Sequence, residues 1–245
     1  IIHTPAGETV LDFKQNMTGW FEITNRAPAG KTWSIQVGEL MQQGNFYRDN
    51  LRSAEAQYTY TSNGEGNVVR PHFTFYGFRY MRLNDFPADV DPSDFKAVVI
   101  HTELERTGYI KTSHRKINKL FSNALWGQKG NFLDVPTDCP QRDERLGWTG
   151  DAQVFSGTAC FNMDCVAFYT KYVNDMMLEQ KLYDGGVPYT VPALMDWLRN
   201  GKGHSSCAWG DVATVVPWTV YMYSSDKELL RKQYPVMKEW VRYIK

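Results

Sequence analysis

Over residues 1–103 the apolar positions alternate with polar ones in short runs: ETVLDF, GWFEITNR, TWSIQVGEL, QYTYTS, HFTFYGFRYMRL and AVVIHTEL. A period of two, rich in β-branched and aromatic residues, is that of half-buried strands. Turn formers punctuate the runs at APAGK, SNGEGN and FPADVDPSD. Several strands with short connections predict an antiparallel β-sandwich over 1–103. From about residue 106 the period lengthens. In SHRKINKLFSNALWGQKGNF, Ile117, Leu120, Phe121, Ala124 and Leu125 recur at helical spacing, with Ser113 as the expected cap. Further helices are predicted over DAQVFSGTACFNM, DCVAFYTKYVNDMMLEQKL and DVATVVPWTVYMYSS, the last kinked at Pro217. The segment DKELLRKQYPVMKEWVRYIK supplies one or two more, interrupted at Tyr234–Pro235. Trp218, Met222 and Trp240 fall on helical stripes and are expected in the core. Helices joined by loops over 106–245 suit an α-hairpin array or toroid, with the β-to-α boundary near 101–108. Between the third and fourth helices, YDGGVPYTVPALMDWLRNGKGHSS is longer than a hairpin needs, and loops of that length are often functional. Trp197 within it is expected to pack rather than to line a site.

Composition narrows the function classes. With 42% apolar and 14% aromatic residues the chain can build a core, which excludes a disordered protein. Its 27 basic and 27 acidic residues cancel and are dispersed, so neither nucleic acid nor an anionic membrane is the expected partner. No apolar run reaches the roughly eighteen residues of a spanning helix. Cys139, Cys160, Cys165 and Cys207 form no CxxC pair and read as free buried thiols. His3, His72, His101, His114 and His204 share no ligand spacing, so no metal is expected. The glycines of YDGGV lack the phosphate-loop pattern, and Ser205 and Ser206 beside His204 lack a nucleophile elbow. No cofactor is implied. The chain opens at IIHTPAG and closes on a helical pattern, EWVRYIK, so both ends read as cut. Compartment and oligomeric state are left open.

One stretch fits neither period. Residues 134–151, DVPTDCPQRDERLGWTGD, hold five carboxylates, two arginines and a tryptophan beside glycines. Charge placed between two buried helices is costly unless it is paired, hydrogen-bonded or used. A solvated loop would explain Asp143, Glu144 and Arg145, but not Trp148 between Gly147 and Gly150. A flat aromatic face among polar groups suits a sugar ring. Arg142 can donate in a fork to hydroxyls or hold a carboxylate ionised. Asp138, Glu144 and Asp151 can accept from vicinal hydroxyls, and one of them can instead give a proton.

The segment NFLDVPTDCPQRDERLGWTGDAQVF resembles the signature of bacterial α-L-rhamnosidases, glycoside hydrolase family 78. The likeness extends through LDFKQNMTGWFEI, PAGKTWSIQVGELMQQGNFYRDNLRSAEAQYTYT and HFTFYGFRYMRL, which look like the family's β-domain. It continues through VIHTELERTGYIKTS, HSSCAWGDVATVVPW and QYPVMKEWVRYI. The resemblance implies a β-sandwich domain (1–103) followed by the first part of an (α/α)6 toroid (106–245). It implies removal of terminal α-L-rhamnose from an oligosaccharide or glycoside by an inverting acid/base mechanism. Glu144 matches the general acid, Asp138, Arg142 and Asp151 match binders of rhamnose hydroxyls, and Trp148 matches a wall of the sugar pocket. Trp209, in AWGD, matches a second aromatic wall. Asp143 and Arg145 take supporting roles. A general acid must keep its proton, so an elevated pKa is expected for Glu144, with Asp138 and Asp151 pushing it up and Arg142 pulling it down. The resemblance also implies that the second carboxylate, which activates water, comes from a later part of the barrel beyond residue 245, and nothing marks Asp184, Asp196 or Asp211 as a replacement. A toroid stopped there leaves apolar faces uncovered, and the chain alone is expected to be inactive. The competing readings are a noncatalytic carbohydrate-binding protein and an α/α-toroid glycosidase for another sugar.

Overall fold

One long strand, β2 (Thr9–Thr24), organises the N-terminal part of the computed structural model, which describes residues 1–87, 90–194 and 205–245. Its first half pairs antiparallel with β1 (Ile2–His3) and with the C-terminal end of β8 (Tyr76–Asn84). Between Asp12 and Met17 the register shifts, and Lys14 takes a positive φ of 66°, so β2 carries a bulge there. Its second half pairs with β9 (Phe95–Val99) and β7 (Val68–Val69). On the other side of β8 lie β3 (Thr32–Gly38) and β6 (Gln57–Thr61). Because β2 is long enough to meet four partners, all seven strands join in one antiparallel sheet. A separate hairpin, β4 (Leu40–Gln42) and β5 (Asn45–Tyr47), turns at Gln43–Gly44, both with positive φ. The alternation read from the sequence is that of the buried set: Phe21, Ile23, Trp33, Ile35, Val37, Phe78 and Met81 fill one core. Trp33 is fully buried because its indole N–H donates to Asn25 Oδ1 at 3.2 Å.

Asp12 sits beside the bulge, where Arg79 grips it through Nε and Nη2 at 2.8 and 2.9 Å. This forked hydrogen bond, with Lys14 assisting, holds the Asp12 carboxyl far below the usual carboxylate range. A depressed folded-state pKa stabilises the fold fully above the unfolded value, about 3.9, and that contribution drains away as pH falls toward the folded value. Replacing Arg79 by Met is therefore expected to lower the urea midpoint near pH 5 and to flatten its fall between about pH 4 and 2. Parallel acid slopes in both proteins would refute the assignment.

The chain divides into two compact units, Ile1–His101 with Cys139–Arg145, and Thr102–Asp138 with Leu146–Lys245. The second unit is helical: α1 (Arg115–Asn131), α2 (Thr149–Asn162), α3 (Val166–Leu182), α4 (Val212–Ser224) and α5 (Lys227–Ile244). A short ribbon, β10 (Phe132–Leu133) and β11 (Val135–Pro136), follows α1. Antiparallel sheet followed by helices is the order read from the sequence. Helices α2 to α5 pack around Tyr169, Tyr172, Val173, Met176, Val216 and Trp240. Buried Cys139, Cys160 and Cys165 are free thiols, as expected, whereas Cys207 is free but exposed.

Several local expectations need correction. The N-cap of α1 is His114, not Ser113, and the end is tied down by Thr112, whose N–H donates to Asn118 Oδ1 at 2.8 Å. Helix α5 runs unbroken through Tyr234–Pro235. One amide donor is lost there, but Asp226 caps the helix by accepting from Leu229 N–H, and buried Val236 and Trp240 anchor it beyond the proline. Trp240 is in the core as read, with its indole N–H on Asp211 Oδ1 at 3.0 Å. Trp218 and Met222 are not: they are 52% and 60% exposed. Helix α4 is apolar nearly all round, and the face it buries is Val212, Ala213, Val216, Pro217 and Val220. Trp197, Asp196 and His204 lie outside the described residues.

Candidate active site

The charged stretch is built on a neck. Asp138 N–H donates to Leu146 O at 3.1 Å, and Leu146 N–H donates to Asp138 Oδ1 at 3.0 Å. This reciprocal pair closes the ends of the excursion Cys139–Arg145. Downstream, the backbone of 147–149 pairs with the loop after α3. Val191 N–H donates to Gly147 O, Thr149 N–H donates to Tyr189 O, and the Thr149 hydroxyl adds a bond to the same carbonyl at 3.0 Å. Gly147 permits this approach, since a Cβ there would lie 2.2 Å from Val191 O. A Cβ on Gly150 would press on the Trp209 indole at 3.0–3.2 Å. The glycines around Trp148 thus serve close packing.

In the helical unit this arrangement lines a cavity of about 590 Å³. Asp138, Asp151 and Trp209 are brought together on its wall, with Phe132 and Phe155 as apolar lining. Asp151 lies in the first turn of α2, where the helix N-terminus favours a carboxylate. Trp148 is not on that wall. Its ring stands 6.5 Å from Tyr189, which in turn meets Trp209 edge-on at 5.9 Å. The Trp148 indole N–H is buried with no partner among the described residues, so it is available to an incoming acceptor. The acids weighed as bases are engaged elsewhere. Asp184 pairs with Arg242 at 3.2 Å, and Asp211 holds Trp240 Nε1 and Ala208 N–H.

Glu144 and Arg142 belong to the sheet unit, within a cleft of about 480 Å³. Two guanidinium groups converge on one carboxylate oxygen: Arg52 Nη2 at 2.9 Å and Arg142 Nε at 3.0 Å from Glu144 Oε2. Glu144 Oε1 has no partner among the described residues. Arg52 also pairs with Asp143, Nε to Oδ1 at 2.7 Å. Ser53 donates its hydroxyl to Asp143 Oδ2, and this bond together with Arg52 holds the Asp143 carboxyl below the usual range. Arg145 donates Nη1–H to Phe75 O at 2.9 Å and stacks over the Phe75 ring at 4.7 Å. The segment rests on β8 at Gly77, where a Cβ would lie 2.8 Å from Gln141 Cβ.

Reading the sequence missed Arg52, Ser53, Phe75, Gly77 and Tyr189. For Gly77 a signal existed, because a glycine inside an aromatic strand often marks close approach of another backbone. For the others there was none, as each acts through a partner about 40 to 90 residues away.

Residues 2–101 match the family model described as the bacterial α-L-rhamnosidase concanavalin-like domain, and residues 105–245 match the bacterial α-L-rhamnosidase six-hairpin glycosidase domain. An α-L-rhamnosidase of Formosa agariphila is 42% identical over 242 residues, covering 97% of this chain and 26% of that protein. The crystal structure of an Aspergillus terreus α-L-rhamnosidase superposes with a TM-score of 0.92 at 40% identity, over 98% of this chain and 28% of that one. The Streptomyces avermitilis α-L-rhamnosidase complexed with L-rhamnose gives 0.90 at 40% identity, over 97% and 23%. The chain spans about a quarter of the length of the relatives it matches.

Proposed function

Because the chain belongs to the bacterial α-L-rhamnosidase family, joining a concanavalin-like to a six-hairpin glycosidase domain, we propose that it removes terminal α-L-rhamnose from glycosides, with Glu144 as the general acid. The observation that carries the reading is the state of Glu144. One of its oxygens is fixed by Arg52 and Arg142, and the other has no partner among the described residues and lies in a cleft. A proton donor needs that combination, a fixed carboxyl and one oxygen able to reach the departing glycosidic oxygen. Asp138, Asp151 and Trp209 share the cavity of the helical unit and suit a hydroxylated ring, two carboxylates to accept and one indole to stack. Arg142, which pairs with Glu144 through Nε, is proposed to bind sugar hydroxyls as well.

Inversion requires a second carboxylate, roughly 6.5–9.5 Å from the first, with a water between them. Asp184 and Asp211 are tied to structural partners, so the base is proposed to come from outside residues 1–245. The test uses a protein of the relatives' full length that carries this chain. Followed by proton NMR, it is expected to release β-L-rhamnose first from an aryl α-L-rhamnoside. Release of the α-anomer first, or binding of rhamnose without hydrolysis, would sink the proposal.

A further inference from the structure

Trp209 presents an indole that is 39% exposed on the wall of the cavity in the helical unit, so its own burial does little to hold it. The backbone on either side holds it instead. Ala208 stands at a φ of 73°, in the left-handed region that a residue with a Cβ keeps only where its surroundings impose it. Side chains from two helices do so. Asp211, the N-cap residue of α4, accepts the Ala208 N–H on Oδ2 at 2.8 Å, and Gln153 of α2 donates Nε2–H to the Ala208 carbonyl. Asp211 is fixed in turn, since its Oδ1 accepts from the indole N–H of buried Trp240 at 3.0 Å. On the far side of Trp209, Gly210 N–H donates to Ser206 O at 2.8 Å, and Gly210 lies so close to the Trp240 ring that a Cβ has no room. Contacts therefore run from Trp240 in the core of the helical unit, through Asp211 and Ala208, to Gln153. Trp209 sits at the tip of the turn they clamp.

Resting on Trp209 as a wall of the rhamnose site, we propose that Gln153 is a positioning residue for sugar binding: with Asp211 it holds the Ala208–Trp209 turn so that the indole stands ready before the ring arrives. An exposed aromatic side chain left free to turn must be ordered at each binding event, and that ordering weakens affinity. Asp211 also serves the core through Trp240, whereas the Gln153 side chain donates to the turn alone among the described residues. Gln153 is therefore the residue whose change reports on the turn.

Gln153→Met keeps the length of the side chain and removes its donor, and Gln153→Ala removes both, so the pair guards against a folding defect in either. In full-length protein carrying this chain, the calorimetric Kd for free L-rhamnose is expected to rise about three- to tenfold in each variant. For 4-nitrophenyl α-L-rhamnoside the loss should appear in KM rather than in kcat, because binding and not the chemical step is affected. A double-mutant cycle with Trp209→Ala decides how the glutamine acts. Trp209→Ala alone should weaken rhamnose binding, and adding Gln153→Met to it should cost nothing further. An equal loss from Gln153→Met with and without Trp209 overturns the positioning role and means that the glutamine touches the sugar itself. An unchanged Kd in both Gln153 variants overturns it as well. Unaltered rhamnose affinity in Trp209→Ala overturns the wall reading itself, and the positioning with it.

Discussion

Glu144→Gln, in a protein of full length carrying this chain, is expected to lower kcat by about 10² to 10⁴ on a rhamnoside whose leaving group is an alcohol or a sugar. The amide has the shape of the acid and still offers an oxygen to Arg52 and Arg142, so the cleft should keep its form. It cannot give a proton. The loss should therefore be graded by the leaving group, smaller for a nitrophenolate that departs unaided and larger for an alkoxide that cannot. Binding of free rhamnose, assigned to groups such as Asp138 and Asp151, should hardly change. Equal losses for good and poor leaving groups would mean that Glu144 only holds the arginines in place.

How much of this was legible beforehand follows from how each residue acts. Glu144, Arg142, Asp138, Trp148 and Asp151 fall within fourteen positions of one segment, so their types and spacing could be read together. The alternation over 1–103 identifies the inner faces around Phe21, Trp33 and Phe78, because burial in a sheet repeats every two residues. Helix breaks were misread where packing overrides local preference, as at Pro235, which costs one hydrogen bond in a helix anchored by Trp240. The grip on the acid was not legible. Arg52 reaches Glu144 and Ser53 reaches Asp143 across about 90 positions, and nothing in RDNLRSAE announces either contact. Trp218 and Met222 fit a helical stripe, but a stripe alone does not say which of two apolar faces is covered.

Gly77→Val should disable the protein without touching a reacting group. At Gly77 the acid-bearing segment lies directly on β8. The new Cβ would stand 2.8 Å from Gln141 Cβ, 3.0 Å from Pro140 Cγ and 3.1 Å from Gln141 Cα. Two of these are the rigid ring of a proline and a backbone atom, so neither can swing away, and the branched side chain adds two methyl groups to the clash. The strand resists in turn, since Gly77 is in register with Thr18 of β2. The weaker partner is the irregular segment, which should lift from the sheet and carry Glu144 with it. A displacement near 1 Å in a positioned catalytic group costs on the order of a hundredfold, and that loss is expected in kcat/KM. Overpacking should lower stability by only about 1–3 kcal/mol, leaving the sheet folded by circular dichroism. Trimming the opposing side chain separates displacement from unfolding. Adding Gln141→Gly removes the closest contact and should restore part of the rate. Full activity in Gly77→Val alone would show that the seat on β8 does not position the acid, and an absent rescue with a lowered melting temperature would trace the loss to the sheet instead.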